Sequence, residues 1–67
     1  MIAITLNGEA RQLDASLSVE ELIQQLGLGH RRVAVLHNGG VIPREAYGAT
    51  RVGDGDAVEI VHMVGGG

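Results

Sequence analysis

The sequence predicts a two-layer α+β domain, in which a small mixed sheet curls over a single helix. Three segments carry that expectation. Ile2, Ile4 and Leu6 alternate with Ala3 and Thr5 ahead of Asn7-Gly8. Period two marks a strand with one buried face, and Asn-Gly is a hairpin signal because both residues tolerate positive φ. Ser18 opens a stretch in which Val19, Leu22, Ile23 and Leu26 fall at i, i+3, i+4 and i+7, one apolar stripe along a helix. Ala57 to Val64 alternates again and supplies a last strand.

Each remaining element follows from local chemistry. The return strand of the hairpin runs from about Glu9 to Leu13, and Asp14 to Leu17 reads as a loop. Ser18 and Glu21 stand at capping-box spacing, and Glu20 and Glu21 favour the positive end of the helix dipole. Gly27 suits the left-handed position that stops a helix. Val33 to His37 is a third strand, closed by Asn38-Gly39-Gly40. Val41-Ile42 stays extended because the residue before Pro43 is pushed away from helix, and Pro43 to Ala46 fits a short helical turn with proline at its first position. A brief strand near Thr50 to Val52 leads into the tight turn Gly53-Asp54-Gly55-Asp56. No linker or repeat divides the chain, so residues 1–64 form one domain and 65–67 a flexible glycine tail.

Composition removes several function classes. At 67 residues there is room for one thin core and none for a cofactor domain. The apolar fraction of 45% with a net charge of −3 argues against disorder. With no cysteine there is no disulfide, thiolate nucleophile or cysteine metal site. All basic residues are arginine (Arg11, Arg31, Arg32, Arg44 and Arg51), which excludes lysine Schiff-base chemistry and a Walker phosphate loop. Tyr47 is the only aromatic residue, and an acidic chain without stacking aromatics does not suit nucleic acid. No apolar run reaches the roughly 18 residues of a membrane span, so the expected compartment is the cytoplasm, with no membrane partner.

The candidate chemistry converges on one end of the chain. His30, His37 and His62 show no helical metal-ligand spacing and no nucleophile pattern, so no catalytic or metal residue is assigned. His62 lies two residues past Ile60, where it extends the buried line to its solvated edge. Asp54 and Asp56 flank Gly55 without the closing glutamate of a calcium loop, and Gly27-x-Gly29 lacks the third glycine of a dinucleotide site. Gly65, Gly66 and Gly67 have no side chains to pack, but they form an unhindered arm joined directly to the last strand. Such an arm can thread a narrow channel and present the Gly67 carboxylate to another protein. If Val58 and Ile60 face the helix, Val61 and Met63 lie on the open face with Glu59, beside the arm. Val61, Met63 and Val64 are therefore the expected docking residues, methionine being suited to adaptable contacts.

In order along the chain, Asn7-Gly8, the Ser18-Val19-x-Glu21-Leu22 helix start, Asn38-Gly39-Gly40-Val41-Ile42-Pro43-Arg44-Glu45, Gly53-Asp54-Gly55-Asp56 and Glu59-Ile60-Val61-His62-x-Val64-Gly65-Gly66-Gly67 resemble the ThiS family, the sulfur carriers of thiamine biosynthesis. The resemblance spans essentially the whole chain; Met63 departs from it, standing where relatives often carry an aromatic residue. It implies a ubiquitin-like β-grasp fold. It also implies that a ThiF-type adenylating enzyme uses ATP and Mg to adenylate Gly67. A sulfur donor such as a cysteine desulfurase then gives a thiocarboxylate, and thiazole synthase (ThiG) takes the sulfur into the thiazole ring. On that resemblance the chain binds no cofactor itself and is a protein co-substrate rather than an enzyme. Three other readings share the fold. The small subunit of molybdopterin synthase is similar but usually longer and richer in aromatics. A β-grasp interaction module would leave the glycines idle. A ubiquitin-like modifier is compatible with a chain lacking lysine, since that lack prevents only lysine-linked self-chains.

Overall fold

The computed structural model describes residues 1–29 and 32–62. Asn7 at φ 51° and Gly8 at φ 83° close a tight turn of the type their side chains permit. That turn folds β1 (Ile2–Leu6) onto β2 (Glu9–Leu13), antiparallel, with Ile2 opposite Leu13 and Leu6 opposite Glu9. Alternation along β1 buries Ile4 and Leu6. At the far end of the hairpin Leu13 joins them, so one face of the pair contributes to the core.

The segment expected to be a loop before the helix is partly strand. Leu17–Ser18 forms β3, antiparallel to β6 (Arg51–Val52), as a separate two-stranded sheet. Leu17 is buried, so the chain is drawn inward just before the helix. The Ser16 hydroxyl ties the segment further by donating to the Val52 carbonyl at 2.8 Å. Extended backbone at Ser18, φ −80° and ψ 161°, is the geometry an N-cap requires, so a short strand and a cap share one residue.

Helix α1 (Val19–Gln25) begins as its sequence dictates. The Glu21 N–H donates to Ser18 Oγ at 3.1 Å, and the Ser18 N–H donates to Glu21 Oε1 at 2.9 Å, completing the capping box. Gly27 ends the helix at φ 74°. Val19 and Leu22 are fully buried, and Ile23 is nearly so. Burying a side chain of this size contributes about 1.5–3 kcal/mol, which makes the stripe the main link between helix and sheet.

The second hairpin joins β4 (Val33–His37) to β5 (Gly40–Ile42) through Asn38 at φ 50° and Gly39 at φ 86°. Pro43 caps a 3-10 turn over Arg44–Ala46 and lies just outside it, rather than occupying its first position. The last strand, β7 (Ala57–His62), inserts between the hairpins to give the order β2-β1-β7-β4-β5. It runs parallel to β1 and antiparallel to β4. Val35, Val58 and Ile60 complete the core from the sheet, and Leu17 and Val52 close it from the small sheet. The brief strand near Thr50 to Val52 thus shortens to two residues and stands apart from the main sheet. Of the last strand expected over Ala57 to Val64, Met63 and Val64 lie outside the described residues.

Candidate functional site

β7 is held unequally on its two sides. Pairing with β4 continues to the end of the strand, where Val33 stands opposite His62. Pairing with β1 covers only Thr5 with Ala57 and Leu6 with Val58, because β1 then turns away at Asn7. The Thr5 N–H donates to the Asp56 carbonyl at 3.0 Å and the Asn7 N–H to the Val58 carbonyl at 2.9 Å. One rung further, a side chain replaces the missing strand: the Ile60 N–H donates to Asn7 Oδ1 at 2.8 Å. The Tyr47 hydroxyl reaches the Val33 carbonyl at 3.3 Å, tying the 3-10 turn to the start of β4, beside this same end of β7.

The face of the sheet turned away from the helix is more apolar than the sequence reading anticipated. Val61 is 51% exposed and pairs with Ala34, while Val41 is 73% exposed and pairs with Leu36. Ala34 and Leu36 are half-buried, and Glu59, opposite Leu36, brings a charge to the group. Val61 therefore lies on the open face, as alternation with the buried Val58 and Ile60 requires. Ala34, Leu36 and Val41 were missed. For Ala34 and Leu36 the signal was the unbroken apolar run Val33-Ala34-Val35-Leu36, which cannot put all its members on one side of a strand; Val41 stands outside that run.

At the other end of β7, two turns are cross-linked. Asp56 Oδ2 accepts from the Gly53 N–H at 2.9 Å and from His37 Nε2 at 2.7 Å, and Asp56 Oδ1 accepts from Asn38 Nδ2 at 3.4 Å. A carboxylate only accepts, so His37 carries its proton on Nε2. The Gly53 N–H, then the His37 ring and the Asn38 amide, hold the Asp56 carboxyl below its ordinary value. Glu21 is lowered too, first by its bonds with Ser18 and then by Arg51, 3.8 Å away. His37 is thus a structural partner, and His62 lies exposed at the solvated end of the buried line.

Among the described residues no group of three or more His, Cys, Asp or Glu is placed to hold a metal, and no helix is long and apolar enough to cross a membrane. A cleft of about 130 Å³ between α1 and the 3-10 turn is lined by Glu20, Ile23, Leu28, Val33, Arg44 and Tyr47. It gathers no serine, threonine or histidine among those side chains. Of the residues singled out from sequence, His30, Met63, Val64, Gly65, Gly66 and Gly67 lie outside the described residues; Val61 lies within them.

Known proteins resemble this chain along nearly its whole length. Residues 4–67 match the ThiS family. The thiamine biosynthesis protein (ThiS) of Geobacter metallireducens, solved by crystallography, superposes with a TM-score of 0.87 at 43% identity, covering 98% of this chain and 100% of that one. The sulfur carrier protein ThiS of Escherichia coli K12 is 33% identical over 64 residues, 96% of this chain and 97% of its own. A thiazole synthase of Paramagnetospirillum magneticum is 44% identical over 64 residues, which is 96% of this chain but 20% of that longer protein. The chain thus spans about a fifth of the thiazole synthases it matches. The mixed sheet on one helix is accordingly the β-grasp arrangement expected from the sequence.

Proposed function

The chain belongs to the ThiS family, and from that membership we propose that it is a cytoplasmic sulfur carrier for thiazole formation in thiamine biosynthesis. The observation that carries the proposal is the family match itself, which runs from Ile4 through Gly67 and so includes the glycine arm. A carboxylate is a poor electrophile until it gains a leaving group. A ThiF-type partner with ATP and Mg supplies one: a Gly67 carboxylate oxygen attacks the α-phosphorus and pyrophosphate departs. Sulfur then displaces AMP from the carbonyl carbon, leaving a thiocarboxylate. A desulfurase persulfide, cleaved at its S–S bond by a thiol, is the source proposed for that sulfur.

This chain's own part is presentation. Glycine at the reacting carbonyl leaves the approach of sulfur unobstructed. Gly65 and Gly66 lengthen the arm without bulk, and the open face around Val61, with Met63 and Val64 beyond it, docks the partners. Thiazole synthase is the acceptor we propose, supported by the relatives in which a segment like this chain lies within a thiazole synthase. The chain is then a co-substrate, and the partners supply the catalytic groups and the nucleotide.

Intact-mass spectrometry tests this. After incubation with a ThiF-type enzyme, ATP, Mg and a sulfur source, the protein should gain the mass difference between one sulfur and one oxygen. An unchanged mass beside a control carrier that reacts would overturn the assignment.

A further inference from the structure

We propose that Asn7 is a positioning residue for sulfur transfer, its side-chain amide fixing the direction in which β7 leaves the sheet toward Gly67. The proposal rests on the carrier reading and adds a residue 53 positions from its hydrogen-bond partner. A two-residue turn of this geometry accepts Asn, Asp or Gly at its first position, so the turn alone does not call for an amide. The amide also serves the neighbouring strand, because Oδ1 takes the Ile60 N–H at 2.8 Å where β1 has turned away. Among the described residues, this is the last bond to β7 on its β1 side. β4 pairs with Val61 and His62 from the other side, so without Asn7 Oδ1 the last rungs of β7 hang from one neighbour. A root able to swing widens the volume in which Gly67 is found, and orientation at a reacting centre is worth orders of magnitude in rate.

The molecule contains its own control. Asn38, first residue of the other turn, makes the same kind of bond to the same strand, its Oδ1 accepting the Ala57 N–H at 2.8 Å. Asn7 and Asn38 thus clamp β7 toward opposite ends, and only Asn7 acts toward its C-terminal end, from which the sequence continues to Gly65. Replacing either by glycine keeps the turn and removes the acceptor.

The experiment compares N7G, N38G and N7D with the parent protein as substrates of the adenylating partner, well below their melting temperatures. It measures thiocarboxylate formation and amide hydrogen exchange at Ile60. Asn7→Gly should lower kcat about tenfold while KM for the carrier stays within about twofold, because docking through the open face is untouched. Its Ile60 amide should exchange faster. Asn38→Gly should leave kcat near the parent value, and Asn7→Asp, which keeps an acceptor and tolerates the turn, should restore both rate and protection. Equal loss in N7G and N38G, parental kcat in N7G, or failure of N7D to rescue would each overturn the proposal. If the parent itself gains no sulfur, the carrier reading falls and this proposal with it, whereas a reacting parent with an indifferent N7G defeats the proposal alone.

Discussion

Asp56 shows how one carboxylate can join two turns and give the protein an acid limit. Its folded pKa is below the ordinary value, so the unfolded chain binds more protons in that range and stability rises with pH there. The contribution is complete above the unfolded carboxylate pKa, near pH 4, and is lost as pH falls through the lower folded value. Asp56→Asn should destabilise the protein at pH 7, and the gap to the parent should narrow on acidification to about pH 3. Urea melts at the two pH values measure this; an unchanged gap would mean that the charge of Asp56 is not what matters. Glu21 acts in the same direction, so the variant should keep some acid sensitivity. Ser18, Glu21 and Gly27 could be assigned from sequence because their partners lie within one helical turn. Asn7 could be read as a turn residue, but not as a clamp on Ile60, since that contact depends on which strands meet.

Among the elements, the helix was the most legible and the two-residue strands the least. A seven-residue helix with a capping box carries its own start signal. β3 and β6 have two residues each, too few for any period, and only their pairing makes them strands. Ser18→Ala should remove the cap and cost about 1 kcal/mol, read as a lower urea midpoint with unchanged slope. The open face offers a test of another kind. Val61→Asp replaces a side chain already 51% exposed, so the melting temperature should barely move. Calorimetric binding to the adenylating enzyme and to thiazole synthase should weaken at least tenfold, because an unpartnered charge is costly in an apolar contact. Parental affinity would take Val61 out of the interface. Sequence alternation placed Val61 correctly, yet it could not say that Leu36 and Val41 share its side, which register alone decides.

For the whole molecule, body and arm should separate experimentally. Leu22→Ala opens a cavity at a fully buried position and should cost about 2–5 kcal/mol, a large share of the ~3–10 kcal/mol available to a chain this short. Deleting Gly66 and Gly67 should change stability by no more than about 0.5 kcal/mol yet abolish thiazole formation. Thermal melts beside a thiocarboxylate assay check both, and a tail-deleted protein that still supports thiazole formation would refute the carrier reading. Layer composition was legible because strand and helix periods differ; sheet order was not, since it joins residues at opposite ends of the chain. That order also governs how the protein is made. Of the described strands β7 comes last along the chain and stands in the middle of its five-stranded sheet, so the two hairpins have no common neighbour until it emerges. Nascent chains stalled before Ala57 should be cut readily by protease, and those extended well past His62 should resist. A ribosome therefore completes the described sheet only as it delivers β7, and a chain released before that strand lacks the member that joins its two hairpins.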